Sequence, residues 1–364
     1  MIHISRKLAT VRTITDILPI PNADSIEVAV VDGWECVVRK SENYKKGDMV
    51  VYVEVDSIMP ERPEYEFLRP RKFRVKTIKL RGQISQGLVL PLSCLNGKVV
   101  DVGDDVTDIL GVKKYDPQSE QEEKLFERKN KKWYMRYAVV RRILRSKNEK
   151  RPFPSWIKKT DEERIQNLPQ LFNQNKNTQF VATEKIDGQS ATYFLERRPF
   201  GLGYNFGVCS RNWQIPAADG SSYWVIAKEK RIRNVLVAMA KKMGYRRIVL
   251  QGEIIGPGIQ GNKYGLKEYD FYAFNLILDG QKQSRLTMEA KLDIISYFGL
   301  PCIKTVPVAK LNFALGNTIP ETVELAKGKS KLANIEREGI VVRNHEKNIS
   351  FKIINPDFLL KHEE

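Results

Sequence analysis

The stretch Val181-Ala182-Thr183-Glu184-Lys185-Ile186-Asp187-Gly188 reads as a β-strand that breaks at a glycine. Strand side chains alternate between faces, so Lys185 and Asp187 share one face and Glu184 takes the other. A lysine beside an aspartate is usually a surface ion pair, but three later strands change its weight. Residues 246–256 (RRIVLQGEIIG) surround one carboxylate, Glu253, with apolar side chains. In residues 337–344 (REGIVVRN) Glu338 leads a β-branched run, and residues 349–354 (ISFKII) hold a single amine, Lys352. Lone charges in apolar strands are costly to bury unless paired or bound to an ion. Three such carboxylates and two such lysines, spread over four strands, predict a shared cleft. Carboxylates suit a divalent metal ion, and lysines suit phosphate.

Outward from that stretch the chain changes character. Residues 1–115 read as short strands. Segments 25–31 and 34–39 flank Asp32-Gly33, a strong two-residue hairpin signal. Further strands are expected at 49–55, 73–80 and 87–92, with residues 82–86 as a turn between the last two. Five or so strands with little helix predict a small β-barrel. Residues 116–160 form a linker of another kind. Within 128–159 there are 13 Lys or Arg residues against the single acid Glu149, interleaved with Trp133, Tyr134, Tyr137, Phe153 and Trp156. Cations for phosphates and flat rings for bases suit a nucleic acid strand; the plainer alternative is a solvated linker whose rings pack on a neighbouring domain. Residues 161–364 mix strands with helices. Ile232, Val235, Leu236, Met239, Ala240 and Met243 mark a helix over 223–243 that Gly244 ends. A second helix is expected at 287–298, and Asn355-Pro356 opens a short terminal one.

The whole chain of 364 residues carries 61 Lys and Arg against 44 Asp and Glu, a net charge of +17 and a pI near 9.5, which favours a polyanionic partner. With 42% hydrophobic residues it can bury real cores. No apolar run approaches the roughly 20 residues of a membrane span, and the first residues lack a signal peptide's apolar core. Cys36, Cys94, Cys209 and Cys302 are far apart and there are only three His, so neither a disulfide framework nor a zinc site is expected. These features predict an intracellular, cytoplasmic protein without membrane or zinc. Gly-rich phosphate loops of the P-loop and Rossmann types are absent from the sequence.

Two sets of motifs resemble known families. Residues 21–24 (PNAD) and 81–91 (RGQISQGLVLP) resemble OB-fold tRNA-binding modules. Lys185-Ile186-Asp187-Gly188, Ser210-Arg211-Asn212, Glu253, Phe271-Tyr272-Ala273-Phe274, Glu338-Gly339 and Lys352 occur in the order of the collinear motifs of covalent nucleotidyltransferases, the ATP-dependent polynucleotide ligases and mRNA capping enzymes. Residues 159–167 (KTDEERIQN) resemble an element of RNA ligases. DNA ligases and capping enzymes of this superfamily place an OB domain after the motif that holds Lys352, where only 12 residues follow here. The barrel-like segment comes first instead, which resembles the Naegleria-type RNA ligases over nearly the whole chain.

That resemblance implies an α+β protein, with an N-terminal OB-like β-barrel followed by a ligase-type nucleotidyltransferase domain of antiparallel sheets and helices. It implies an ATP-dependent RNA ligase that joins 3′-OH and 5′-phosphate ends, on nicked duplex RNA, through a lysyl–AMP intermediate, as a monomer. Lys185 is the implied nucleophile. Glu184 would read adenine, Phe274 would stack on it, Arg211 would bond the ribose and Lys352 the α-phosphate. Asp187, Glu253 and Glu338 would hold Mg²⁺ or Mn²⁺ through waters, with two ions in all. Arg164 and Gln166 would contact the nick or the adenylate. A second lysine often found two positions after Lys352 is replaced by Ile354, for which Lys361 or Arg343 is a candidate substitute. Sealing of DNA, GTP-dependent capping and a non-catalytic RNA-binding adaptor are the rival readings.

Overall fold

The computed structural model describes residues 7–115, 150–160, 162–217, 220–279, 288–299 and 303–362. Most of the basic segment 128–159, with Trp133, Tyr134 and Tyr137, therefore lies outside the described residues. So do the first six residues and Cys302.

The N-terminal part is built on ten strands: β1 (Ala9–Pro19), β2 (Ile26–Val31), β3 (Trp34–Arg39), β4 (Met49–Val53), β5 (Ser57–Ile58), β6 (Arg74–Val75), β7 (Thr77–Leu80), β8 (Gln83–Gln86), β9 (Leu88–Pro91) and β10 (Lys113–Lys114). Five form an antiparallel sheet in the order β3-β2-β1-β4-β9. The long strand β1 is shared: its first half pairs with β4, its second half with β2, and a bulge between Ile14 and Asp16 turns it from one to the other. Asp32 and Gly33 have φ of 53° and 111°, the left-handed pair that joins β2 to β3 as a two-residue hairpin. Val50, Val51, Tyr52 and Val53 of β4 are all buried, because apolar clusters lie on both of its faces. Residues 83–86, expected as a turn, are strand β8, which closes a tight hairpin with β7 around Arg81 and Gly82.

The remaining strands are β11 (Arg151–Pro152), β12 (Phe180–Lys185), β13 (Gln189–Arg197), β14 (Tyr204–Cys209), β15 (Trp213–Ile215), β16 (Arg247–Ile255), β17 (Asp270–Leu278), β18 (Lys304–Thr305), β19 (Val308–Phe313), β20 (Gly339–Asn344) and β21 (Ile349–Ile354). They make a seven-stranded sheet, β11-β15-β14-β13-β16-β17-β18, and a four-stranded one, β19-β12-β20-β21. All their pairings are antiparallel except β17 with β18, which departs from the expected all-antiparallel arrangement. Helices Ser222–Glu229, Ile232–Met243 and Met288–Gly299 supply apolar side chains to the larger sheet's core. Helix Ile319–Glu324 serves the smaller sheet.

The single helix expected over 223–243 is two, broken at Arg231 with φ 51°. Buried Ile226 and Ile232 are six positions apart, which in one continuous helix would set them about 240° around the axis from each other. The break rephases the chain so that both reach the same core. Phe153 and Trp156 pack with Phe194, Cys209 and Val249, and Trp156 meets Phe194 edge-on at 5.6 Å. For these two rings the packing reading holds. Among the described residues no helix is long and apolar enough to cross a membrane.

Candidate active site

The two C-terminal sheets face each other across a cavity of about 340 Å³, the size of a small-ligand pocket. Its wall includes Glu184 and Lys185 from β12, Glu253 from β16, Phe274 from β17, Glu338 before β20, and Arg343, Lys352 and Ile354 from β20 and β21. Arg164 and Arg211 join from loops. Asp56, Lys114 and Tyr115, from the N-terminal part, complete it.

Backbone register explains why distant residues meet. Lys185 pairs with Gly339, which puts Glu338 beside it, and Val341 pairs with Lys352 one strand further on. Lys185 Nζ donates to Glu338 Oε1 at 2.5 Å. Burial pulls the Lys185 amine down, yet Glu338 against it, with Glu253 and Asp187 nearby, more than offsets this and holds it above the ordinary lysine value. Glu253 is the reverse case. Burial, with Glu338 and Asp187 close by, pushes its carboxyl up to about 8 in spite of Lys185 and Arg211. Burial likewise raises Glu338, against the pull of Lys185, and its second oxygen has no hydrogen-bond partner.

Asp187 is tied down separately: Lys263 Nζ donates to its Oδ2 at 2.5 Å, and its backbone N–H donates to the Tyr264 hydroxyl at 2.9 Å. Gly188 follows because nothing larger fits. A Cβ there would stand 2.4 Å from the carbonyl oxygen of Ile254, so the connection from β12 to β13 that carries Asp187 lies directly against the strand carrying Glu253. Glu184 is 3% exposed, and its carboxylate accepts from the Ser330 hydroxyl and, at 2.9 Å, from the Lys331 N–H. Although alternation places it opposite Lys185, Glu184 too reaches the cavity wall at the strand's end.

Most of the sequence-predicted residues thus converge, with two exceptions. Gln166 is 1% exposed and is not part of the wall, and Asp187 sits just behind it. Of the two substitutes considered for the lysine missing at Ile354, Arg343 lines the cavity and Lys361 does not. Arg343 donates to Glu162 at 3.2 Å. Among the described residues no three His, Cys, Asp or Glu side chains are arranged to grip a metal ion directly. The chemistry of the donor set still fits a hard divalent cation: buried carboxylate oxygens, one of them unpartnered, with Glu253 destabilised as an anion by its surroundings.

Residues that sequence reasoning missed come from the N-terminal part. Asp56 lies 3.9 Å from the Arg164 guanidinium, and Arg74 donates to Asp56 at 2.5 Å while capping the Tyr115 ring at 3.9 Å. Trp34 lies under Arg164, 5.7 Å from its ring centre. No local pattern announces the contacts of Asp56 and Trp34 with Arg164, because they join segments more than a hundred residues apart.

Comparisons with known proteins agree with this architecture. Residues 8–92 match an OB-fold domain model, and residues 178–355 match the RNA ligase family model. A search of curated protein sequences found no match. Among solved structures, a point mutant of Naegleria gruberi RNA ligase with AMP and Mn is 33% identical, with a TM-score of 0.80 and coverage of 98% of this chain and 99% of that one. Another mutant, with ATP and Mn, gives the same values. The same Naegleria ligase with PPi is 33% identical, with a TM-score of 0.78 and 99% of each chain covered. An OB-fold placed ahead of a lysine-centred cleft between two sheets defines a covalent nucleotidyltransferase of the polynucleotide-ligase kind. The chain belongs to the RNA ligase family, and it is an ATP-dependent RNA ligase with the domain order of the Naegleria enzyme.

Proposed function

We propose that this ligase joins a 3′-OH to a 5′-phosphate at nicks in duplex RNA, acting as a monomer, and that Lys185 is its nucleophile. The observation that carries the reading is the placement of Lys185 against Glu338 and near Glu253, on the wall of a cavity that also holds Phe274, Arg211 and Lys352. The lone pair of Lys185 Nζ attacks the α-phosphorus of ATP. A nitrogen–phosphorus bond forms, the bond to the β-phosphate oxygen breaks, and pyrophosphate leaves. An oxygen of the RNA 5′-phosphate then displaces the lysine, taking the AMP. Finally the 3′-OH oxygen attacks that 5′-phosphorus, its proton is lost, and AMP departs with the bonding pair.

The first step requires a neutral amine, and the carboxylates around Lys185 oppose that. Free lysine titrates near 10.4, so a shift of about three units, or roughly 4 kcal/mol, separates it from neutral pH. Asp187, Glu253 and Glu338 would hold Mg²⁺ or Mn²⁺ through waters, and the bound cation would supply the positive charge that lowers the lysine and offsets charge in the transition state. A second ion would accompany the β- and γ-phosphates. Glu184 accepts from Ser330 and the Lys331 backbone and, held so, presents its carboxylate edge to adenine. Phe274 stacks on the base, Arg211 bonds the ribose, and Lys352 and Arg343 face the α-phosphate. Arg164 contacts the adenylate or the nick, and Gln166 supports it from the interior. Residues 1–115 act as the OB unit, 161–364 as the nucleotidyltransferase unit, and the basic segment 116–160 between them holds the RNA backbone.

The test is sealing of a nicked duplex whose 3′-OH strand is RNA or DNA, at several salt concentrations, with ATP and Mg²⁺ or Mn²⁺. Faster sealing of the RNA strand, dependent on a 5′-phosphate and weakening with salt, supports the reading. Equal or faster sealing of the DNA strand contradicts it.

A further inference from the structure

Asn167 ends the short 3₁₀ turn Ile165–Asn167, just after Arg164, and its carboxamide joins the two domains. Its Oδ1 accepts from the indole Nε1 of Trp34 at 3.1 Å. Its Nδ2 donates to Glu54 Oε1 at 2.6 Å and to Glu163 Oε1 at 2.8 Å. Trp34 and Glu54 belong to the OB sheet, at the start of β3 and just after β4, and both are buried. Glu163 belongs to the segment that carries Arg164. A primary amide offers two N–H donors and one acceptor oxygen, and all three are engaged here.

From Glu163 the connections continue to the cavity. Its carbonyl oxygen accepts the backbone N–H of Lys352 at 2.8 Å, and Arg164 forms a parallel bridge with Lys352. Its carboxylate also accepts the Arg164 N–H at 3.0 Å. The indole that donates to Asn167 is the one that lies under the Arg164 guanidinium. The OB sheet and the Arg164 segment therefore share one partly buried amide as their common partner, and the Lys352 strand is linked to it through Glu163.

We propose that Asn167 is a positioning residue for nucleotide transfer: through it the OB domain sets where Arg164 and Lys352 stand in the cavity. The inference rests on the reading that these two side chains face the nucleotide. It assigns the OB domain a second way of acting, beyond the Asp56, Lys114 and Tyr115 side chains it lends to the wall. The carboxamide is chemically required. An aspartate would set a third carboxylate against Glu54 and Glu163, and an alanine would strip the indole N–H and both glutamates of the bonds that Asn167 makes.

The experiment is single-turnover transfer of AMP to the full-length protein over a range of ATP concentrations, with wild type run in parallel to report on the function itself. The variants are N167A, N167D, the double variant N167D/E54Q, and L95A as a control in the OB core away from the junction. N167A should lower the maximal rate by roughly tenfold to a hundredfold with a smaller change in the half-saturating ATP concentration, as a misplaced group does. L95A should retain its maximal rate at a matching loss in Tm. N167D should be as slow as N167A, and N167D/E54Q should recover at least part of the rate, because amide and carboxylate have only changed sides. A wild-type maximal rate in N167A, a loss no larger than that of L95A, or a double variant no faster than N167D would each overturn the proposal.

Discussion

Lys185 Nζ stands 2.5 Å from Glu338 Oε1, so the proposed nucleophile is held as a cation by a carboxylate of its own site. Activation must therefore come from neutralising that carboxylate, not from burial alone. Adenylylation should accordingly rise with pH, with a limb that moves to lower pH as Mn²⁺ is increased, because a cation on the carboxylates removes what raises the lysine. Rates measured from pH 6 to 10 at several Mn²⁺ concentrations check this. A limb that stays fixed would show that the metal does not act on the lysine.

Glu253, with its carboxyl pushed up to about 8, makes the metal-free protein sensitive to pH in a definite direction. The unfolded carboxyl ionises near 4.5, whereas the folded one holds its proton to about 8. Between those values the unfolded state is favoured as pH rises, and above 8 the whole penalty is present. Glu253→Gln imitates the protonated form. In chelator it should raise Tm by roughly 2–6 °C at pH 8.5 and leave it unchanged at pH 4.5, while adenylylation is lost. Scanning calorimetry at both pH values measures it; an equal gain at both would mean that ionisation is not the cause.

Gly188 has no room for a side chain, since a Cβ would meet the Ile254 carbonyl at 2.4 Å. Gly188→Ala should separate the start of β13 from β16 locally, destabilise the protein by about 2 kcal/mol and cut adenylylation through misplaced Asp187 and Glu253. Denaturant unfolding and the transfer rate test the two effects independently.

Phe274 stands half-buried on the cavity wall. If it stacks on adenine, Phe274→Ala should raise the KM for ATP by roughly 5- to 100-fold, in line with about 1–3 kcal/mol per stacked base. Phe274→Tyr should keep KM near the wild-type value. A loss of Tm with KM unchanged would make the ring a core residue only.

How far the sequence could be read depended on the range of the interactions. The strand of Lys185, the isolated carboxylates Glu253 and Glu338, and the hairpin at Asp32-Gly33 each announce themselves within a few residues. Their convergence was legible because a lone charge in an apolar strand demands a partner. Strand β1 was not recognised, since its exposed second half breaks alternation after the bulge. The break at Arg231 was hidden because a continuous apolar stripe follows it. Trp34, Glu54, Asp56 and Asn167 were invisible for a different reason. Each looks like an ordinary strand or loop residue, and only the docking of one domain on the other gives them their contacts.

The most direct measurement is to incubate wild-type protein and Lys185→Ala with Mn²⁺ and ATP labelled on its α-phosphate, then to locate the AMP by peptide mass spectrometry. The account predicts one covalent AMP on Lys185, released by acid or by added pyrophosphate, and no label on the variant. AMP attached to any other side chain, or a variant that still takes up label, would contradict it.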